Sequence, residues 1–231
     1  FSRTAVVPDL HNSDRTSGLY TVYPEGEFGA LAAWAWGYHR CVDFFLTLDG
    51  VDPDGIAVVG HSRGGKTALL AGATDERIAL TAPNGSGSGG AGCFRWQGPD
   101  SEHLSDSMRM IPYWYGPRLA NFVDREHELP FDQHFLKALV APRAYLSTEG
   151  LGDLWSNPEG TWQSHLAARE VYRFLNAQDR IGHWYRGGGH DHGAADWEAF
   201  LGFMEWQFCG RDPEGRFDVD PYPEMSPAFS W

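Results

Sequence analysis

Apolar residues recur at steps of three and four in the segment after the turn-forming residues 24–26, and this spacing predicts an amphipathic helix. A second turn is predicted at residues 52–55, where Asp, Pro, Asp and Gly follow one another. The next run, residues 56–59, is apolar throughout, which is typical of a strand buried on both faces of a parallel sheet. The apolar positions of the helix are Phe28, Leu31, Ala35, Tyr38, Val42 and Phe45.

Strand-like and helix-like segments then alternate to the end of the chain, which predicts an α/β fold with a mainly parallel sheet flanked by helices. Residues 93–130 are irregular and aromatic, and we expect them to form an insertion over the carboxyl-terminal edge of the sheet. We expect residues 1–231 to form a single domain. Further strands are predicted at 4–7, 78–82, 143–147 and 183–186, and further helices at 66–71, 131–140, 164–175 and 195–209.

The charge of the chain argues against two classes of partner. Its 31 acidic and 18 basic residues give a net charge of −13, which disfavours binding to nucleic acid or to an anionic membrane. No apolar run is long enough to span a bilayer. The chain starts with Phe instead of Met and has no signal-peptide pattern, so we expect a mature, processed or truncated product.

The cysteines and aromatic residues narrow the candidate chemistry. Cys41, Cys93 and Cys209 are odd in number and form no C-x-x-C motif, which excludes a disulfide scaffold and a cysteine zinc site. Ten tryptophans and nine tyrosines exceed the needs of a core of this size. We therefore expect some of them to line a groove suited to sugar rings or aryl groups.

Residues 60–64 match the motif G-x-S-x-G and lie between a predicted strand and a predicted helix. This context is typical of the nucleophile elbow of α/β-hydrolases, where a strained turn exposes the serine at the top of the sheet. The motif predicts Ser62 as the nucleophile, with the backbone N–H of Arg63 facing an oxyanion. The alternative is a chance glycine-rich turn.

In this fold the triad partners follow in the order serine, acid, histidine. His190 comes directly after three glycines and before the last predicted helix, so we predict it as the base, with His192 in reserve. A His-Asp-His metal pair is the competing interpretation, but it has no clear third ligand. Asp153 is the preferred acid because it lies deeper in the loop after the strand at 143–147, and Glu149 remains an alternative.

The glycine-rich stretch 85–90 also satisfies G-x-G-x-x-G, the fingerprint of dinucleotide binding. The residues after it do not form the helix that would receive a pyrophosphate. We therefore reject dinucleotide binding, and no organic cofactor or metal is expected.

The segment 60–69, with the sequence GHSRGGKTAL, resembles the nucleophile segment of glucuronoyl esterases, carbohydrate esterase family 15. The resemblance extends to further stretches of the chain, including the Ser/Gly loop that ends at residues 93–95. The other stretches are residues 72–77, 129–134, 141–143, 153–155, 188–191 and 196–197. It implies an α/β-hydrolase that cleaves esters between (4-O-methyl)glucuronic acid on xylan and lignin alcohols. It further implies that Ser62 is the nucleophile and His190 the base.

The resemblance also implies substrate contacts. Lys66 and Trp155 match positions of the family's sugar contacts, and Glu102 matches a third more loosely. Arg63 would support the oxyanion through its backbone and its side chain. Without the resemblance, a solvated lysine in the first turn of a helix is the more ordinary interpretation of Lys66.

Two positions depart from the family pattern. Many members carry a catalytic Glu where this chain has Gly85, so the acid must come from the later loop, where Asp153 lies. Fungal-type members have cysteines where this chain has His61 and Asp191, so the chain resembles the bacterial type. The chain is also short for the family, and we expect its N-terminal strands to be missing or supplied separately.

Two other functions stay open at this point. One is an acetyl- or feruloyl-type carbohydrate esterase on the same scaffold, since fold alone does not fix the substrate. The other is an inactive carbohydrate-binding homologue. A secreted or periplasmic location is inferred from the polymeric substrate class alone.

Overall fold

The computed structural model describes residues 3–9, 15–213 and 215–229. Its centre is a sheet of four parallel strands in the order β1-β2-β3-β4. The predicted parallel sheet flanked by helices is therefore confirmed. The strands are β1 (Ala57–His61), β2 (Leu80–Asn84), β3 (Ala144–Gly150) and β4 (Ile181–Arg186).

Helices cover both faces of this sheet. On one face, Tyr145 of β3 packs with Leu69, Val140 and Tyr172 from three different helices. On the other face, the last helix packs against the apolar residues of β2 and β3 that point the opposite way. The helices are α1 (Arg3–Val6), α2 (Leu19–Val22), α3 (Ala30–Phe45), α4 (Arg63–Thr74), α5 (Leu104–Met110), α6 (Gln133–Val140), α7 (Pro158–Phe174) and α8 (Ala194–Cys209).

The predicted strand at residues 4–7 is wrong, because these residues belong to helix α1 and the residue after it. Such a short run, with apolar residues only at 5–7, satisfies the period of a strand or of a helix, so the pattern alone could not decide. The N–H of Val7 donates to the carbonyl of Arg3 at 3.3 Å, as in a helix. The carbonyl of Val7 accepts from Trp34 Nε1 at 3.1 Å, which fastens this segment to α3.

The remaining elements differ from prediction mainly at their ends. Strand β2 begins and ends two residues later than expected, and it continues through Pro83 to Asn84 because Ser62 N donates to Asn84 O at 2.9 Å. The region 93–130 is irregular as predicted, with the short helix α5 and three 3₁₀ turns. Within the described ranges, no helix has the length and apolar character needed to cross a membrane.

Candidate active site

Ser62 occupies a sharp turn between the end of β1 and the start of α4. Its backbone has φ 57° and ψ −126°, a left-handed conformation that costs a non-glycine residue about 1–3 kcal/mol. The turn is held by hydrogen bonds from Ser62 N to Asn84 O (2.9 Å) and from Gly65 N to Ser62 O (2.8 Å). Gly60 must lack a side chain, because a Cβ there would lie 2.2 Å from Gly64 O. The predicted elbow therefore has the geometry that exposes a serine hydroxyl above the sheet.

The structure brings His190 and Asp153 together. Nδ1 of His190 lies 2.6 Å from Oδ2 of Asp153, whose side chain is 6% exposed. A carboxylate accepts, so Nδ1 carries the proton and Nε2 keeps its lone pair. Ser156 Oγ lies 3.2 Å from the same Nδ1 and donates to Gly85 O at 3.5 Å. The imidazole thus has the tautomer that a general base needs.

Glu149, the alternative acid, lies elsewhere. It is fully buried in β3, and neither of its oxygens has a hydrogen bond of normal geometry among the described residues. Burial raises the pKa of Glu149 well above its usual range, against the opposing influence of Lys137. Burial therefore disfavours the charged form of this carboxyl group, and the structure does not bring it to His190.

His192, the reserve base, stacks on other rings instead. Its ring lies 4.7 Å from that of Trp197 and 5.7 Å from that of His61, measured between centroids. Burial lowers the pKa of His192. His190 reaches the elbow more closely, with its ring 4.5 Å from that of His61, the residue before Ser62.

The Arg63 side chain is anchored by Asp9 and Trp114. Its guanidinium donates to Asp9 Oδ2 at 2.7 Å and lies 4.9 Å from the centre of the Trp114 ring. Asp9 also accepts from Tyr113, Trp114 and Arg3. Burial acts to raise the pKa of Asp9, but these hydrogen bonds outweigh it and hold that pKa below its usual value. The first-turn N–H of Arg63 has no acceptor within its own helix, so it can serve an oxyanion.

The three residues predicted to contact a sugar lie next to one another. Lys66 is 5% exposed, and its Nζ lies 3.6 Å from Glu102 Oε2 and donates to the carbonyl of Ser88. Glu102 accepts from Ser107 Oγ at 2.6 Å, and its N–H donates to the carbonyl of Trp155 at 3.0 Å. The Trp155 side chain is half exposed. Lys66 is therefore not the solvated lysine of the ordinary interpretation.

Gly85 leaves room for the Asp153–His190 pair. A Cβ at this position would lie 3.5 Å from His190 Nδ1 and 3.6 Å from Asp153 Oδ2. Its φ of +47° also favours glycine. A side chain at this position would therefore start in van der Waals contact with the Asp153–His190 pair.

Several polar residues of the site were not found from the sequence. Each of them contacts a partner that is distant in the sequence. Asp9 and Arg63, for example, are 54 positions apart. For Ser156 the only signal was its place three residues after Asp153. The missed residues are Asp9, His61, Asn84 and Ser156.

One family model and several known proteins are similar to this chain. The family model described as "Glucuronyl esterase, fungi" matches residues 1–176. A carbohydrate esterase, MZ0003, from an unknown prokaryotic organism is 37% identical over 209 residues, covering 82% of this chain and 47% of that protein. A 4-O-methyl-glucuronoyl methylesterase from Podospora anserina is 39% identical over 198 residues, covering 81% of this chain and 41% of that protein.

Among solved structures, a family 15 glucuronoyl esterase from Caldicellulosiruptor kristjansonii superposes with a TM-score of 0.92 at 37% identity. That match covers 98% of this chain and 63% of the solved one. The chain spans just under half the length of the curated relatives described above.

Proposed function

Because the chain belongs to the glucuronoyl esterase family, carbohydrate esterase family 15, we propose that it hydrolyses esters of glucuronic acid through an acyl-enzyme on Ser62. The observation that carries this proposal is the 2.6 Å contact between His190 Nδ1 and Asp153 beside the strained elbow of Ser62. A serine hydrolase needs a base whose Nδ1 is held by a carboxylate, and this pair supplies it.

In the first half-reaction Ser62 Oγ attacks the uronoyl carbonyl carbon, and His190 Nε2 takes the hydroxyl proton. The negative charge that develops on the carbonyl oxygen lies against the N–H of Arg63. The tetrahedral intermediate then collapses, the ester C–O bond breaks, and His190 gives its proton to the leaving alcohol. In the second half-reaction water attacks the acyl carbon with the same assistance, and the uronate is released.

Asp153 and Ser156 act on His190. Asp153 accepts a hydrogen bond from the Nδ1–H of His190 and stabilises the imidazolium that forms when Nε2 takes a proton. Ser156 lies within 3.2 Å of the same nitrogen and so restrains the ring from the side of the Gly85 loop. Both residues leave Nε2 free to face Ser62.

The uronate sugar is proposed to bind over Lys66, Glu102 and Trp155. The ammonium and the carboxylate of the first two are already paired at 3.6 Å, so a sugar hydroxyl between them would find a donor and an acceptor. The half-exposed indole of Trp155 offers a flat face to the pyranose ring. The substrate proposed is the (4-O-methyl)glucuronoyl ester of xylan with a lignin alcohol.

Two further proposals follow from this substrate. A polymeric plant substrate implies that the enzyme acts outside the cytoplasm, so we place it in a secreted or periplasmic location. We also treat residues 1–231 as a single hydrolase domain with 93–130 inserted over its site, because Glu102 and Trp114 of that segment contact Lys66 and Arg63.

The test is hydrolysis of benzyl glucuronate and p-nitrophenyl acetate by the chain and its Ser62→Ala variant. We expect turnover of the uronate ester that is lost in Ser62→Ala and kept in Ser105→Ala, which changes an exposed serine instead. Turnover of the acetate alone would replace the glucuronoyl assignment with a general esterase. No turnover of either ester, with binding of the sugar unchanged by Ser62→Ala, would favour an inactive binding protein.

A further inference from the structure

Three imidazole rings, one of them that of the proposed base, form a row of ring contacts with one indole. The ring of His61 lies 4.5 Å from that of His190 and is tilted by 40° to it. It also lies 5.7 Å from the ring of His192, at an angle of 24°. The ring of His192 stacks in turn on Trp197 at 4.7 Å and 18°. His61 is therefore the middle member of a row that ends at the catalytic loop.

The ring of His61 is fixed to the centre of the sheet. Its Nδ1 lies 2.6 Å from Oδ1 of Asn84, at the end of the neighbouring strand. Nδ2 of Asn84 donates to the hydroxyl of Thr148 at 2.7 Å and to its carbonyl at 3.3 Å. A carbonyl can only accept, so the Asn84 amide has one orientation, and its Oδ1 must accept from the Nδ1–H of His61. Asn84 and Thr148 are both buried, which holds the arrangement in place.

His190 lies on the loop after β4, where Arg186 donates to the carbonyls of Gly187, Gly189 and Asp191. The three residues before His190 are glycines, and its side chain is 42% exposed. Asp153 and Ser156 hold the imidazole by one atom, Nδ1. The contact with the ring of His61 adds a packing restraint on the ring of His190, beyond these hydrogen bonds.

We propose that His61 is a positioning residue, whose ring face sets the tilt of His190 and so aims Nε2 at Ser62. This inference rests on the proposed role of His190 as the base. His192 packs against His61, and Trp197 packs against His192. Burial lowers the pKa of His192, which disfavours a positive charge at this member of the row.

A matched pair of variants isolates the ring contact. His61→Leu fills similar space without a flat ring, and His61→Phe keeps the ring, while both lose the hydrogen bond to Asn84 in the same way. We expect His61→Leu to lower kcat about tenfold, the size of one lost aromatic contact, with KM within about twofold. His61→Phe should recover to within about threefold of the parent. His127→Ala, at an exposed histidine distant in sequence from the triad, is the control and should leave kcat unchanged.

A second measurement does not depend on turnover. The Nδ1–H proton of His190, identified by its loss in His190→Ala, should give a downfield ¹H resonance in the parent chain. We expect it to persist in His61→Phe and to broaden in His61→Leu, because the looser ring exchanges its proton faster. An absence of esterase activity in the parent would refute the proposed function, and this resonance would still decide the role of His61. Equal kcat values and equal resonances for His61→Leu and His61→Phe would overturn the inference.

Discussion

Glu149 and Asp153 are two buried carboxyl groups four residues apart, and they have opposite surroundings. Asp153 lies beyond the end of β3, and its oxygen accepts from His190 at 2.6 Å. Glu149 lies inside β3, faces the layer of α6 and α7, and has no hydrogen bond of normal geometry to any described residue. The first is suited to accept a hydrogen bond from the base, and burial disfavours the charged form of the second. Their partners distinguish the two.

The same contrast separates two regions of the molecule. At the carboxyl edge of the sheet, the polar side chains flanking the nucleophile are paired, as Arg63 is with Asp9 and Lys66 with Glu102. On the inner face of β3, three successive inward-pointing side chains have polar atoms with no hydrogen bond of normal geometry within the described part of the chain. A buried polar group without a partner costs about 1–3 kcal/mol. The edge therefore pairs its polar side chains closely, whereas the interior row has only weaker contacts, between Tyr145 and Ser147 and between Glu149 and Thr161. The row consists of Tyr145, Ser147 and Glu149.

The largest expected effect is a loss of activity, caused by a substitution at the carboxyl edge of the sheet. Asp153→Asn should lower kcat by about 10³- to 10⁴-fold, because an amide nitrogen facing Nδ1 would select the wrong tautomer of His190. Glu149→Gln should change kcat less than about threefold, since His190 Nδ1 pairs with Asp153 and not with Glu149. Steady-state kinetics on benzyl glucuronate compares the two. A greater loss in Glu149→Gln than in Asp153→Asn would reverse the assignment of the acid.

A smaller effect is expected on the pH dependence of stability, through Glu149 in the interior. The pKa of a glutamate is ordinarily near 4.5, and that of Glu149 is raised in the folded chain. The contribution of Glu149 to the free energy of unfolding is therefore fully present below about pH 4.5 and is lost as pH rises towards the pKa of the folded state. The free energy of unfolding of the parent should therefore fall relative to Glu149→Gln as pH rises above about 4.5, by up to about 1.4 kcal/mol per pH unit until the folded pKa is reached.

Urea denaturation at several pH values measures this slope. Glu170→Gln, which removes one exposed carboxylate from α7, is the matched control and should not reproduce it. A constant difference between the parent and Glu149→Gln across this range would mean that Glu149 is charged in the folded chain.

The smallest effect is at Ser147, in the same interior row. Ser147→Ala removes a hydroxyl with no hydrogen bond of normal geometry to a described residue, so we expect a change between zero and a gain of about 1 kcal/mol in the free energy of unfolding. Ser164→Ala is the matched comparison, because Ser164 is equally buried but donates to Ala91 O and accepts from Lys137. It should lose about 1–2 kcal/mol. Equal losses in both variants, measured by thermal denaturation, would show that the Ser147 hydroxyl is satisfied.

Most of the sheet and its flanking helices could be predicted from the sequence, because their apolar periodicities are local. The elbow was predictable for the same reason, as a motif between a strand and a helix. Asp153 could be preferred over Glu149 from chain order and loop depth. The helix at Arg3–Val6 could not be predicted, because its four residues fit either period and its contact with Trp34 lies far along the chain. Asp9, His61 and Asn84 were missed because their roles exist only once distant segments meet.

The proposed mechanism depends most on Ser62 being a nucleophile that is activated through His190 and Asp153. Intact-mass spectrometry after treatment with an alkyl fluorophosphonate tests this without any assumption about the ester substrate. In that reaction the serine oxygen bonds to phosphorus, fluoride leaves, and the hydroxyl proton passes to the base. We predict one adduct on the parent chain and on Glu149→Gln, slow labelling of Asp153→Asn, and none of Ser62→Ala. Labelling of Ser62→Ala at the parent rate, or equal labelling rates for the parent and Asp153→Asn, would contradict the proposed activation of Ser62 through His190 and Asp153.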